Sequence, residues 1–158
     1  MVERLAAWAQ LVSVVTVGVV AGIFVATQIG QVRVQNTLDA RDFTLVKHGF
    51  EVAVGRIMPV LTIAAGASII PVAILDGSRA TRGFAIAALA LWIGVIVVTL
   101  VFNAPVNVDA ASWDPASPPV DWEDRRDQWH LGQALRTPPA VASVLCLGLA
   151  IQWDRLWS

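Results

Sequence analysis

Four long stretches of this sequence contain no charged residue, and they limit what the chain can fold into. A helix that crosses a membrane needs about 20 predominantly apolar residues. Three stretches meet that need, at 5–31, 57–75 and 83–108. The fourth, at 137–153, is short for a span, so we extend it by a few residues and place the span at 137–156. The sequence therefore predicts an all-α integral membrane four-helix bundle, with residues 1–158 forming a single membrane domain.

Composition excludes several other classes of protein. Hydrophobic residues make up 56% of the chain and charged residues 15%, whereas soluble domains carry about 25% charged residues. The net charge of −1 is unlike the basic surface that binds nucleic acid, so no nucleic-acid partner is expected. A single cysteine excludes an internal disulfide and a zinc site made of several cysteines.

The connections between the predicted spans bear on orientation. Two are long, 32–56 and 109–136, and lie on the side opposite the termini, whereas the connection at 76–82 is short. A count of Lys and Arg places the long connections in the cytoplasm. The short turn carries Arg79 and Arg82, and the positive-inside rule is strongest for short loops. We follow the short turn and expect cytoplasmic termini in a bacterial cell membrane.

Both long connections are predicted to contain helix. Residues 42–56 run into the second span without a strong breaker, and residues 121–136 follow Asp121, a suitable N-cap. We therefore expect helical extensions of helices 2 and 4 on one side of the membrane. Pro138 and Pro139 leave two alternatives open: one kinked helix, or a second helix with proline in its first turn.

Polar residues are predicted to meet at this end of the bundle. His48 and Glu51 are three residues apart, as are Asp127 and His130, and each pair shares a helix face. Polar groups at membrane depth usually face a cavity. The candidate site further includes polar side chains near the third and fourth spans and two tryptophans that could stack on a flat aromatic ligand, namely Asn103, Asn107, Gln133, Arg136, Trp113 and Trp129.

Two interpretations of this end of the bundle are open. A carboxylate and a histidine three residues apart are the ligands of di-metal helix bundles, so iron, manganese or copper could bind at His48, Glu51, Asp127 and His130. Alternatively, each side chain has a structural role, for example an ion pair of Glu51 or a hydrogen bond to a backbone carbonyl. With or without a metal, the site is predicted at the mouth of the bundle.

The sequence resembles the anthrone oxygenase family of four-span membrane proteins over roughly residues 43–151. The resemblance rests on these motifs: Asn103-Ala-Pro105-Val-Asn107, Trp113-Asp-Pro115-Ala, Pro118-Pro119-x-Asp121-Trp122, Trp129-His130 followed by Arg136-Thr137, and upstream His48, Glu51 and Met58-Pro59. Some members of the family are associated with oxidation of an anthrone to an anthraquinone.

The resemblance implies an oxygenase that acts on a lipophilic, anthrone-like aromatic. Such a substrate has an acidic methylene, so we expect His130 or Glu51 to act as a base, with Arg136 and His48 completing the catalytic set. Asn103, Asn107, Trp113, Trp129 and Gln133 are the expected substrate contacts. No cofactor is required in principle.

Two alternatives from other classes remain. The chain could be a non-catalytic accessory or assembly subunit of a membrane complex, or a carrier of a lipophilic small molecule. Expected partners are the lipid bilayer, a lipophilic aromatic compound, and a second copy or another subunit of a membrane complex.

Overall fold

The chain folds into five helices in the computed structural model, which describes residues 1–75 and 78–156, with side chains as far as residue 153. The helices are α1 (Val2–Gln35), α2 (Ala40–Val54), α3 (Ile57–Leu75), α4 (Arg79–Ala110) and α5 (Trp122–Leu156). No strand occurs in the described ranges, apart from one isolated bridge between Asp114 and Ser117. The predicted all-α fold is therefore confirmed.

Four of these helices are long and apolar enough to cross a membrane, namely α1, α3, α4 and α5. This is the number of spans that the sequence predicts, and it indicates an integral membrane protein. The bounds of α3 match the predicted second span, whereas α5 begins at Trp122, well before the predicted start at residue 137. Single-domain organisation and the orientation of the termini stay predictions, and Asp76 and Gly77 of the predicted short turn lie outside the described residues.

The core forms where α1 packs on α3 and α5, and α4 packs on α3 and α5. Its largest buried side chain is Trp92, whose Nε1 donates to the Thr62 carbonyl of α3 at 2.9 Å. Gly66 makes this close contact possible, since a Cβ there would lie 2.7 Å from Trp92 Cδ1. Small residues at such crossings let helix backbones approach closely in lipid.

The predicted extension of the second span exists as α2 but is not continuous with α3. Gly55 and Arg56 form a turn between the two helices. The cause is Pro59, which cannot donate to the Gly55 carbonyl and whose ring would clash with it in a continuous helix. In the first turn of α3, the same proline costs nothing, because that N–H would have no helical partner.

The extension of the fourth span, in contrast, is continuous with it. Helix α5 runs through Pro138 and Pro139 without a break, so the alternative in which a second helix begins at the prolines is not observed. Its first turns lie beside the end of α4, where Arg125 pairs with Asp109 at 3.1 Å.

Two π-helical turns interrupt the spans next to α5. They lie at Thr27–Gln31 in α1 and at Thr99–Asn103 in α4. Glutamines of α5 donate to backbone carbonyls near or within these turns: Gln133 Nε2 donates to Phe24 O, before the first turn, at 2.7 Å, and Gln128 Nε2 donates to Phe102 O, within the second turn, at 3.3 Å. Such turns occur often at functional sites, and both line the cavity described next.

Candidate functional site

A cavity of about 340 Å³ lies at the end of the bundle that carries the long connections. Its volume falls in the range of pockets that enclose small organic ligands. All five helices contribute to it, and its apolar wall includes Ile23, Phe24, Phe50, Val54, Met58, Ile63, Ile96 and Leu100. The ionisable lining groups of the described chain are Lys47, Glu51 and Arg136.

Lys47 is held at the polar end of the cavity by two oxygen acceptors. Its Nζ donates to Glu51 Oε1 and to Asn107 Oδ1, each at 2.7 Å, and lies 4.4 Å from the centre of the Trp129 ring. Trp129 Nε1 donates to the same Asn107 oxygen at 2.8 Å. The Asn107 amide therefore joins α2, α4 and α5 at one point.

Burial changes the acid–base behaviour of Lys47. Only 1% of its side chain is exposed. Desolvation disfavours the ammonium form and lowers the pKa of Lys47 to about 8, against the opposing attraction of Glu51. Lys47 therefore remains mostly charged at neutral pH and loses its proton in mildly alkaline solution.

Arg136 is a second buried cation at the cavity, and its residue is 8% exposed. Its Nε and Nη2 donate to Gln133 Oε1, and its Nη1 donates to Thr99 Oγ1 at 3.3 Å. The guanidinium carbon lies 4.3 Å from the centre of the Phe24 ring. No carboxylate within the described ranges lies within 4.0 Å of this guanidinium.

Gln133 and Asn103, predicted as substrate contacts, lie behind the cavity wall. Gln133 is fully buried and connects Arg136 to the Phe24 carbonyl. Asn103 donates from Nδ2 to the Trp129 carbonyl at 2.9 Å, and its Oδ1 would lie 2.6 Å from a Cβ at Gly132. Both amides therefore hold cavity residues in place and do not line the cavity themselves.

The two histidines also lie off the cavity. His48 Nδ1 donates to the Ala110 carbonyl at 3.1 Å, and His130 Nε2 donates to Gln35 Oε1 at 2.9 Å. Of the four residues predicted as catalytic, Glu51 and Arg136 line the cavity and His48 and His130 do not.

Trp113, the remaining predicted contact, belongs to a separate apolar cluster. It packs with Val32, Val106 and Trp129, and its ring centre lies 6.2 Å from that of Phe43. The ring contact with Phe43 holds the connection after α4 against α2. Of the predicted substrate contacts, only Asn107 and Trp129 line the cavity.

The candidate metal ligands are not brought together. His48, Glu51 and His130 each contact a different group, and Asp127 accepts from Arg126 Nε at 2.9 Å on the surface. Within the ranges that the structure describes, no three His, Cys, Asp or Glu side chains could hold one ion. These residues do not fit a metal centre, so no step of the chemistry below passes through a metal.

Sequence reasoning did not include Lys47 and Thr99 in the site. A signal for Lys47 was present: it lies four residues before Glu51 and four after Phe43, which places all three on one face of α2. The spacing of His48 and Glu51 drew attention to His48, which bonds to the Ala110 carbonyl, whereas Lys47 lines the cavity together with Glu51. Thr99 had no local signal, because its partner Arg136 lies 37 residues further along the chain.

The fold and the cavity define an all-α membrane protein that encloses a lipophilic pocket with an ionic end. The model of the anthrone oxygenase family matches residues 46–146, and the chain belongs to this family. No match was found among curated proteins or among solved structures. The matched segment contains every ionisable residue of the cavity lining, together with Asn107 and Trp129, whereas α1 lies outside it.

Proposed function

We propose that the protein oxidises a lipophilic aromatic compound with an acidic methylene, of the anthrone type, using O2. The observation that carries the proposal is the apolar cavity whose one end combines the Glu51 carboxylate with the Lys47 and Arg136 cations. Membership in the anthrone oxygenase family supports the same chemistry. The apolar wall suits both the aromatic rings and O2.

The reaction begins with a proton transfer. Glu51 removes a proton from the methylene, and the electron pair remains on the ring system as an enolate. Arg136 and Lys47 lie at the same end of the cavity and stabilise the oxygen that gains this charge, which is the role of preorganised donors around a developing oxyanion.

The oxidation then consumes one molecule of O2. The enolate passes one electron to O2, and the resulting radical and superoxide combine to form a carbon–oxygen bond. The peroxide takes up the proton held by Glu51. Loss of the second methylene proton, with cleavage of the O–O bond, gives the carbonyl and water. Overall, methylene and O2 become carbonyl and water, so no other oxidant is needed.

Glu51 suits the role of base better than His130 does. Glu51 lines the cavity, whereas His130 does not, and its ring is hydrogen-bonded to Gln35 of α1. A base must lie within hydrogen-bonding reach of the proton that it removes. Glu51 is also held by Lys47, which fixes one of its oxygens.

The first experiment compares carboxylate variants of the detergent-purified protein. Oxidation of an anthrone is followed by O2 consumption and quinone absorbance, with an anaerobic sample to measure the background. Glu51→Gln should lower turnover by about a hundredfold or more, the contribution of a general base. Asp127→Asn, which alters an exposed carboxylate outside the cavity, is the matched control and should keep wild-type turnover.

Two outcomes would contradict the proposal. Full turnover in Glu51→Gln would exclude this carboxylate as the base. Binding of the anthrone by the wild-type protein without any consumption of O2 would instead favour a carrier of lipophilic molecules.

A further inference from the structure

The charges at the cavity do not balance. Glu51 forms an ion pair with Lys47 at 2.7 Å. Arg136 has only neutral acceptors, the Gln133 amide and the Thr99 hydroxyl. The lining therefore carries one positive charge in excess when Lys47 is protonated, in a mainly apolar space. A buried charge without a counter-charge is costly, so this excess calls for an explanation.

Arg136 still has donors to offer. A guanidinium has five N–H groups, and the bonds to Gln133 and Thr99 engage one on each of Nε, Nη1 and Nη2. One N–H therefore remains on each terminal nitrogen. Such groups bind a planar oxyanion through charge-assisted hydrogen bonds, which are about twice as strong as neutral ones.

The position of the guanidinium is fixed before any ligand binds. Gln133 bonds it on one side, and Phe24 lies against its face. Gln133 is itself bonded to the Phe24 carbonyl. A preorganised cation loses little side-chain entropy on binding, which favours affinity.

We propose that the cavity takes up its ligand already charged, as a monoanionic aromatic compound whose oxyanion binds Arg136 and whose rings lie along Phe24, Ile63 and Leu100. The inference rests on the proposed function in using the same cavity, and it names the class of substrate: aromatic carboxylates and phenolates, whose delocalised oxygen anion is separate from the methylene that loses its proton to Glu51. Glu51 repels such a ligand, and Lys47 offsets that repulsion.

The test measures binding alone, under nitrogen, so that it is independent of turnover. Anthracene carboxylate, with its charge on the central ring, and the corresponding anthracenemethanol share their ring system and differ in charge. Their dissociation constants for the purified wild-type protein are compared by fluorescence polarisation. The carboxylate should bind about tenfold to a hundredfold more tightly, the range for hydrogen bonds to charged groups.

Variants assign that preference to Arg136. Arg136→Gln should remove the preference for the carboxylate, whereas Arg125→Gln should leave it unchanged. Arg125 is on the same helix but pairs with Asp109 and Asp121 outside the cavity. Glu51→Gln removes the repelling charge, and when measured at about pH 6, where Lys47 keeps its proton, it should bind the carboxylate several-fold more tightly than the wild type, even though the same change should lower turnover by about a hundredfold.

The proposal fails if the wild-type protein binds both ligands equally, or if Arg136→Gln retains the preference. Should Arg136→Gln not fold, the wild-type comparison and Glu51→Gln decide the matter, and an unchanged or weaker carboxylate affinity in Glu51→Gln contradicts the proposal. Oleate, a carboxylate from lipid, serves as a competitor of the anthracene carboxylate. If oleate displaces the probe only weakly, the ligand is aromatic as proposed. If oleate binds more tightly than the probe, the assignment of an aromatic ligand is overturned. If the wild-type protein binds the carboxylate as expected but does not oxidise an anthrone, only the proposed oxidation is contradicted.

Discussion

At the scale of single residues, the acid–base state of Lys47 sets the charge of the cavity. Burial lowers the pKa of Lys47 to about 8. The groups that face it are Glu51 on its own helix and Arg136 and His130 on α5. Because a lowered pKa means that the charged form is lost earlier as pH rises, the excess positive charge of the cavity should vanish in mildly alkaline solution.

This predicts a pH dependence for ligand binding. The affinity for anthracene carboxylate should be constant below the pKa of Lys47 and should begin to fall near pH 8, since the ligand remains an anion while Lys47 loses its charge. Titration of the dissociation constant from about pH 6.5 to about pH 9.5 measures this effect. Lys47→Met should bind more weakly at neutral pH and show no such fall. A wild-type affinity that is unchanged throughout this range would contradict the prediction.

Asn107 is the residue on which the polar end of the cavity depends. Its Oδ1 accepts from both Lys47 and Trp129. Replacement by alanine would leave a buried ammonium group one acceptor short, and unsatisfied buried donors cost about 1–3 kcal/mol, or more for charged groups. Asn107→Ala should therefore lower the thermal unfolding temperature in detergent, while Asn107→Asp should remove the excess charge and weaken binding of the anthracene carboxylate. Wild-type stability in Asn107→Ala would contradict this role.

At the scale of helices, close packing depends on particular glycines. A Cβ at Gly66 would lie 2.7 Å from Trp92 Cδ1, and Trp92 is fully buried and hydrogen-bonded to Thr62. Since the indole cannot move away freely, Gly66→Ala should destabilise the fold by about 1–3 kcal/mol, as overpacking does. Gly94→Ala is the matched control, because a Cβ there meets no heavy atom within 4 Å. Equal unfolding temperatures for the two variants would show that the contact adapts.

The helices were predictable from sequence to different degrees. The spans followed from the absence of charge, and the bounds of α3 agree because Arg56 and Asp76 flank it closely. The break before α3 had a local signal in Pro59, which lies four residues after Gly55. Because Pro59 lies beyond residues 42–56, the absence of a strong breaker within that range did not reveal the break. The π-helical turns had no such signal in the sequence.

The candidate site was predicted less completely than the fold. Residues three apart share a helix face, but spacing alone does not show which face points inwards. In α2 the buried residues are Phe43, Thr44 and Lys47, so Lys47 and Glu51 reach the cavity while His48 bonds to Ala110. The sequence placed Arg136 in the site because of its position on α5. That Arg136 has no carboxylate partner among the described residues could be seen only from the three-dimensional positions of the side chains.

At the scale of the whole molecule, the distribution of exposed residues indicates where the bilayer lies. In α2 the charged side chains after Asp42 are buried or partly buried, while Leu45 and Val52, which do not line the cavity, are exposed. An outward apolar face is the reverse of the pattern of a helix in water. Because this face points away from the cavity that α2 lines, we infer that the outer face of α2 contacts lipid.

This placement predicts a difference between two exposed valines. Val52 on α2 is 69% exposed, and Val120, in the connection before α5, is fully exposed. With Cys146 replaced by serine and the protein in lipid nanodiscs, Val52→Cys should react with a charged maleimide at least about tenfold more slowly than Val120→Cys, because an apolar surrounding disfavours the reactive thiolate and excludes the reagent. In detergent-denatured protein both cysteines should react at similar rates. Similar rates in nanodiscs would place the outer face of α2 in water.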